Sequence, residues 1–185
     1  MDSVDREGLA EAFLTAHGAQ TIAHPGGTLY EHLVRTARQL HTWGARDDLA
    51  LAGMCHATYG TDGFDRSLLP VSSRAELANV IGDSAEAIVY AYASCDRDAT
   101  YAELVAGRPV LHDRFDGTFY ALEPVALSDF VELTFANELD VMRQSAELRE
   151  RFGTNIARLF AALADRASAG ARTAFEAELG DLIAR

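Results

Sequence analysis

The chain contains no lysine: all 16 of its basic residues are arginine. Schiff-base catalysis by a protein lysine is therefore excluded, and so is phosphate binding of the Walker A kind, which needs a lysine after its glycine-rich loop. Neither GxGxxG nor GxSxG occurs, which removes the common dinucleotide fingerprint and the nucleophile elbow. Only two cysteines are present, Cys55 and Cys95, too far apart in sequence for a CxxC unit. No stretch approaches the roughly 18 apolar residues of a membrane-crossing helix. The first residues, MDSVDRE, have neither a basic leader nor an apolar segment, so the expectation is a cytoplasmic protein with reduced thiols. Positive charge is also scarce: 16 basic against 28 acidic residues give a net charge of −12. That field repels nucleic acid and anionic membranes, so neither is expected as a partner; a small-molecule ligand is.

What the chain does have is apolar spacing of three and four residues along most of its 185 positions, the signature of amphipathic helices. The length suits one domain, 1–185, with a core large enough to need no staples. The expected fold is all-α, a compact helical bundle with a small β-hairpin. A first helix is expected over 3–16, with Leu9, Phe13 and Ala16 inward, followed by a loop over 19–27. Thr28 and Glu31 have the spacing of a capping box and open a second helix to about Trp43. Asp47 is expected to cap a short third helix, apolar all round and hence central. After a turn-rich loop over 59–71, helices follow from Ser72 or Ser73 to Gly82, from Asp83 to about Asp96, and over 98–106. Asp116-Gly117 between alternating segments predicts a hairpin over 109–122. Helices over 126–147, 148–166 and 169–183 complete the chain.

His56 carries most of the chemical information. It lies on the apolar third helix, where an imidazole without a partner costs roughly 1–3 kcal/mol. His32 sits on the preceding helix beside its apolar stripe. A tight turn at Gly44–Arg46 packs the two helices antiparallel, which predicts that His32 and His56 face one cavity, with rings closer than about 10 Å, the spacing of packed helix axes. The plainer reading is two core histidines, each bonded to a carbonyl. His24 precedes Pro-Gly-Gly, where backbone can approach a ligand closely. Asn137 is polar on the stripe Phe130, Leu133, Thr134, Val141 and needs a partner; Asp140 is expected at the surface. Tyr59, one turn after His56, is expected as a hydroxyl donor beside the imidazole. Cys55 is a poor partner for His56, because neighbours on a helix point about 100° apart. Asp96 is a candidate carboxylate and Arg114 a candidate cation for a substrate anion. The loop 59–71 and the hairpin are expected to form a lid, with Tyr59 and Arg114 directed at the ligand.

His32, His56 on an AGxxH helix 24 residues later, and Asn137 in an A-(D/N)-x-x-D helix resemble the HD-domain superfamily over roughly residues 20–145. The resemblance implies a helical metal-dependent phosphohydrolase-like enzyme. Two acidic ligands of that pattern are missing: His56 is followed by Ala57, and Asn137 stands where an Asp is expected. The chain is also similar to an uncharacterised HD-like group with HPGGTL-x-x-H and H-x-x-YGT, matched here by His24 to Leu29, His32, and His56 to Thr61. The literal His112-Asp113 lies in the hairpin, where alternation points the two side chains apart. The resulting expectation is an enzyme acting on a small anionic metabolite by metal-dependent hydrolysis. His56, His32 and Tyr59 would be catalytic and His24, Arg114 and Asn137 would bind substrate. The resemblance implies one weakly bound divalent ion (Fe, Mn, Zn or Ni) on His32, His56, His24 and Asp96, or none. The alternatives are a metal-free isomerase or lyase, a non-catalytic small-molecule-binding protein, and a helical interaction module presenting the acidic 140–185 helices. Oligomeric state is open.

Overall fold

A computed structural model describes residues 5–183. Its helices are α1 (Arg6–Ala16), α2 (Leu29–Thr42), α3 (Asp47–Cys55), α4 (Arg74–Ile81), α5 (Asp83–Ser94), α6 (Arg97–Val105), α7 (Pro124–Gln144), α8 (Ala146–Leu163) and α9 (Ala169–Ile183). Strands β1 (Ala23–His24) and β2 (Gly27–Thr28) form one antiparallel pair, and β3 (Val110–His112) and β4 (Phe119–Ala121) another. The fold is thus a mostly helical bundle with a small hairpin, as expected. No helix among the described residues is long and apolar enough to cross a membrane.

Two apolar clusters make the core. One gathers α1, α4 and one side of α2, α3 and α5, around Leu14, Leu33, Leu77 and Ile81. The other surrounds α7, with Phe135 against the stacked rings of Phe160 and Phe175 from α8 and α9. Helices α2 and α3 form an antiparallel pair and α7 packs against both, so α7 is buried through most of its length. Arg46, in the α2–α3 turn, reaches across to the buried carboxylate of Asp129 on α7 with both terminal nitrogens. That pair fixes the turn, and with it the register of the two histidine-bearing helices against α7.

Helix starts follow local chemistry, with corrections. The Thr28 hydroxyl accepts from the Glu31 N–H at 3.3 Å, and Glu31 accepts from the Thr28 N–H at 2.7 Å. This capping box satisfies two of the backbone donors that a helix start leaves free. Gly27 makes it possible: its φ is +135°, and a Cβ there would lie 2.1 Å from the Glu31 carboxylate. Thr28→Ala is expected to cost about 1 kcal/mol and lower the melting temperature by roughly 2–4 °C for a chain of this size. A thermal scan showing no shift would mean that the cap does not hold α2.

Asp47, by contrast, caps nothing. The N-cap of α3 is Arg46, without a side-chain bond, and Asp47 enters the first turn; there its charge suits the helix dipole but its side chain is past the position from which it could accept an N2 or N3 donor. In α1 the inward residues are Ala10, Phe13 and Leu14, while Leu9 is 48% exposed; the expected stripe was one residue out of phase. The expected start at residue 3 lies outside the described residues. The segment 19–27 is not plain loop but a 3-10 turn at Ala19–Thr21 and the β1–β2 pair, which delivers His24 to the mouth of α2.

Candidate functional site

Three side chains meet where α2 and α3 abut α7. His32 Nε2 lies 3.3 Å from His56 Nε2 and 3.1 Å from Asn137 Oδ1. The imidazoles cross edge to face with centroids 5.1 Å apart, well inside the 10 Å expected from helix packing. Each is 1% exposed.

The protons in this cluster are assigned by what surrounds it. His56 Nδ1 donates to the Gly53 carbonyl at 2.8 Å. His32 Nδ1 donates to Asp140 Oδ2 at 2.6 Å. A carbonyl and a carboxylate can only accept, so each ring carries a hydrogen on Nδ1 and turns Nε2 toward the cluster. Asn137 is oriented in the same manner: its Nδ2 donates to Glu138 Oε1 at 3.0 Å, so Oδ1 faces His32. Three polar atoms therefore converge, and a positive centre, either a proton on His32 Nε2 or a cation between them, is what makes that arrangement favourable.

Burial enforces neutrality on two histidines. His56 is lowered to about 3, first by burial and then by His32; His24 is lowered to about 4 for the same reasons in the same order. Asp140 has burial pushing it up, yet the hydrogen bonds from His32 and Arg35 outweigh this and hold it below the usual carboxylate range. Arg35 grips it with two bonds, at 2.7 and 2.9 Å, and also donates to the Pro25 carbonyl. Asp140 is therefore the buried anchor of the cluster, not the surface residue expected. Its signal was present: Asn137-x-x-Asp140 and His32-x-x-Arg35 each put two polar groups on one helix face.

His24 stacks on His32, ring centroids 4.0 Å apart, and its Nδ1 is buried without a partner. Among the described residues no three His, Cys, Asp or Glu side chains form a metal-binding group. His24 thus covers the face of His32, and the donor set is completed by an amide oxygen. Two of the three separations in that set suit a shared divalent ion. Atoms about 2.0–2.2 Å from one tetrahedral or octahedral centre lie roughly 2.8–3.6 Å apart, and His32 Nε2 is 3.3 Å from His56 Nε2 and 3.1 Å from Asn137 Oδ1. Each imidazole also has the backing acceptor on its far nitrogen that metal-bound histidines ordinarily have.

Beside the cluster opens a cleft of about 530 Å³, bounded by His24, residues 61–64, α6, α7 and α8. His24 and Asn137 line it, and His32 and His56 lie behind them.

Several expected participants are elsewhere. Tyr59 is buried and its hydroxyl donates to Glu86 at 2.9 Å, which Arg74 also holds; burial and Glu86 raise its pKa. It braces the loop against α5 and is not beside the imidazoles as a free donor. Arg114 donates to the Ala93 carbonyl and lies over the Phe115 ring, away from the cleft. Asp96 accepts from the Ala99 N–H as the cap of α6 and is not a metal ligand. The hairpin contributes nothing to the cleft lining; of the two segments expected there only the loop reaches it, through residues 61–64. Asp113 is buried against the Tyr90 hydroxyl, a structural tie. Cys55 is buried and pushed up to about 12 by that burial, so it stays a thiol. Ala57 is buried in an apolar cluster. Sequence reasoning missed Arg97, Glu138 and Tyr101, which come together only when α6 packs on α8 and Arg97 reaches Glu138 on α7.

A family model described as Domain of unknown function (DUF6817) matches residues 13–97. The matched stretch runs from the last turn of α1 through α5 and includes His24, His32 and His56, but stops before α7. Asn137 and Asp140 therefore complete the cluster from outside it. No curated protein matches the chain, and no solved structure does.

Proposed function

We propose that the protein is an HD-like enzyme that acts on a small metabolite admitted through the cleft, by hydrolysis assisted by one divalent ion. The observation that carries this reading is the convergence of His32 Nε2 on His56 Nε2 and Asn137 Oδ1, at 3.3 and 3.1 Å. These three atoms would hold the ion, which supplies an activated water and polarises a substrate oxygen when bound. The chain's own groups do the positioning. Asp140 keeps the proton on His32 Nδ1, and Arg35 keeps Asp140 in place. Gly53 does the same for His56, and Glu138 for the Asn137 amide. His24 screens the pair from bulk water on its cleft side.

A second reading rests on the 3.1 Å contact itself. A proton on His32 Nε2, donated to Asn137 Oδ1, would satisfy the same atoms and make His32 the general acid of a metal-free isomerase or lyase. Elemental analysis of protein purified without a histidine tag separates the two. Hydrolysis of the HD-like kind predicts Fe, Mn, Zn or Ni below about one equivalent, because a neutral amide is a weaker ligand than a carboxylate. Asn137→Asp should raise the content, whereas Ala57→Asp, whose carboxylate would be buried in an apolar cluster, should not. Folded variants with no metal at any concentration would exclude the ion and leave the proton reading.

A further inference from the structure

We infer that the cleft takes an uncharged amphipathic molecule, with an amide or other carbonyl head and an apolar body, and discriminates against an anionic one. This deepens the preceding reading and rests on its assignment of the cleft as the substrate site.

Charge argues first. The lining carries one arginine, Arg97, against three carboxylates, Asp62, Asp98 and Glu138. Arg97 is moreover turned inward: it donates to Glu138 at 3.1 Å and to the Tyr92 hydroxyl at 3.2 Å. The start of α6, the other natural seat for an anion, is already filled, because Asp62 accepts from the Arg97 backbone N–H at 2.8 Å and Asp96 from that of Ala99 at 3.0 Å. A divalent ion on the cluster would bring the lining from two net negative charges to zero. A neutral ligand leaves that balance intact, whereas an anion would be buried beside like charges.

Unpaired polar atoms argue second. The Tyr101 hydroxyl is buried without a partner, and so is His24 Nδ1; both residues line the cleft. Burial raises Tyr101 well above its ordinary value, so it is a neutral phenol with a hydrogen to donate. A buried donor without a partner is unfavourable until a ligand acceptor reaches it. The α7 and α8 part of the lining also contributes an apolar surface, Val141, Met142, Leu148, Phe152 and Ile156, interrupted by Asn155. Phe152 is 39% exposed, a large ring left in water at the rim. The volume falls in the range of small-molecule sites.

The test uses three probes with one body, octanamide, octanoate and octylamine, titrated calorimetrically into the full-length protein at pH 7.5. Octanamide should bind at least about tenfold more tightly than either charged probe. Tyr101→Phe, which removes only the hydroxyl, should weaken octanamide about fivefold and leave octylamine unchanged. Octanoate or octylamine binding as tightly as octanamide overturns the inference, as does the absence of octanamide binding or an unaltered octanamide affinity in Tyr101→Phe. Metal content of the same preparation reports separately on the catalytic reading, so either can fail alone.

Discussion

Lowering the pH from 7 to 5 in the presence of a chelator should remove at least about 2 kcal/mol of folding stability. The source is His56. In the unfolded chain it takes up a proton below about pH 6.5, whereas in the folded protein burial and His32 delay this to about 3. Between those values the unfolded state holds more protons, so stability falls as the pH falls. At pH 5 the difference amounts to about 1.5 pH units of linkage, or about 2 kcal/mol. His24, lowered to about 4, acts in the same direction but contributes less, because it is nearer solvent. Asp140, held low, loses its contribution only in stronger acid, as the pH falls through its depressed value. Urea unfolding followed by circular dichroism at the two pH values measures this directly. Equal unfolding midpoints with equal slopes would show that His56 is not held neutral in the fold.

Asp140→Ala should be more damaging than any surface charge deletion. It removes the acceptor of a buried imidazole and of two Arg35 bonds together. Arg35 is 28% exposed and can turn to water, but His32 cannot, so the loss is about 3 kcal/mol. For a chain of this size that lowers the melting temperature by roughly 6–12 °C. Retention of a divalent ion should fall by about 10–100-fold, the usual consequence of removing the group behind a histidine ligand. Asp140→Asn retains an acceptor of the same shape, and its melting temperature should lie between the other two. An Asp140→Ala protein with wild-type melting behaviour and wild-type metal content would remove Asp140 from the site.

These two effects fall on residues of unequal legibility. His56 could be singled out because an imidazole on an apolar helix has to be satisfied, whatever surrounds it. Its pairing with His32 followed from the short turn between their helices. Asp140 was assigned to the surface because one acidic residue on a long helix is ordinarily solvated. Only the burial of α7 on nearly every side makes its carboxylate an internal group. The error over Tyr59 has a related origin. Proximity in sequence placed it near His56, but α3 ends at Cys55, with His56 as its C-cap, and the chain then turns the Tyr59 hydroxyl away to Glu86 on α5.

The sequence by itself determined what local chemistry and periodicity control. It specified the helical class, the capping box at Thr28 and Glu31, the hairpin at Asp116-Gly117, and the approach of two histidines on helices joined by one short turn. It also excluded lysine chemistry, since no lysine is present. Tertiary structure alone decided which groups complete the site. Asn137 and Asp140 lie 105 and 108 residues from His32, and Arg97, Glu138 and Tyr101 line one cleft through the packing of α6 against α8. The physical reason is range. Caps, turns and helix faces depend on residues within about four positions of one another. The polarity of a cleft depends on which distant helices supply its walls, and no local pattern encodes that choice.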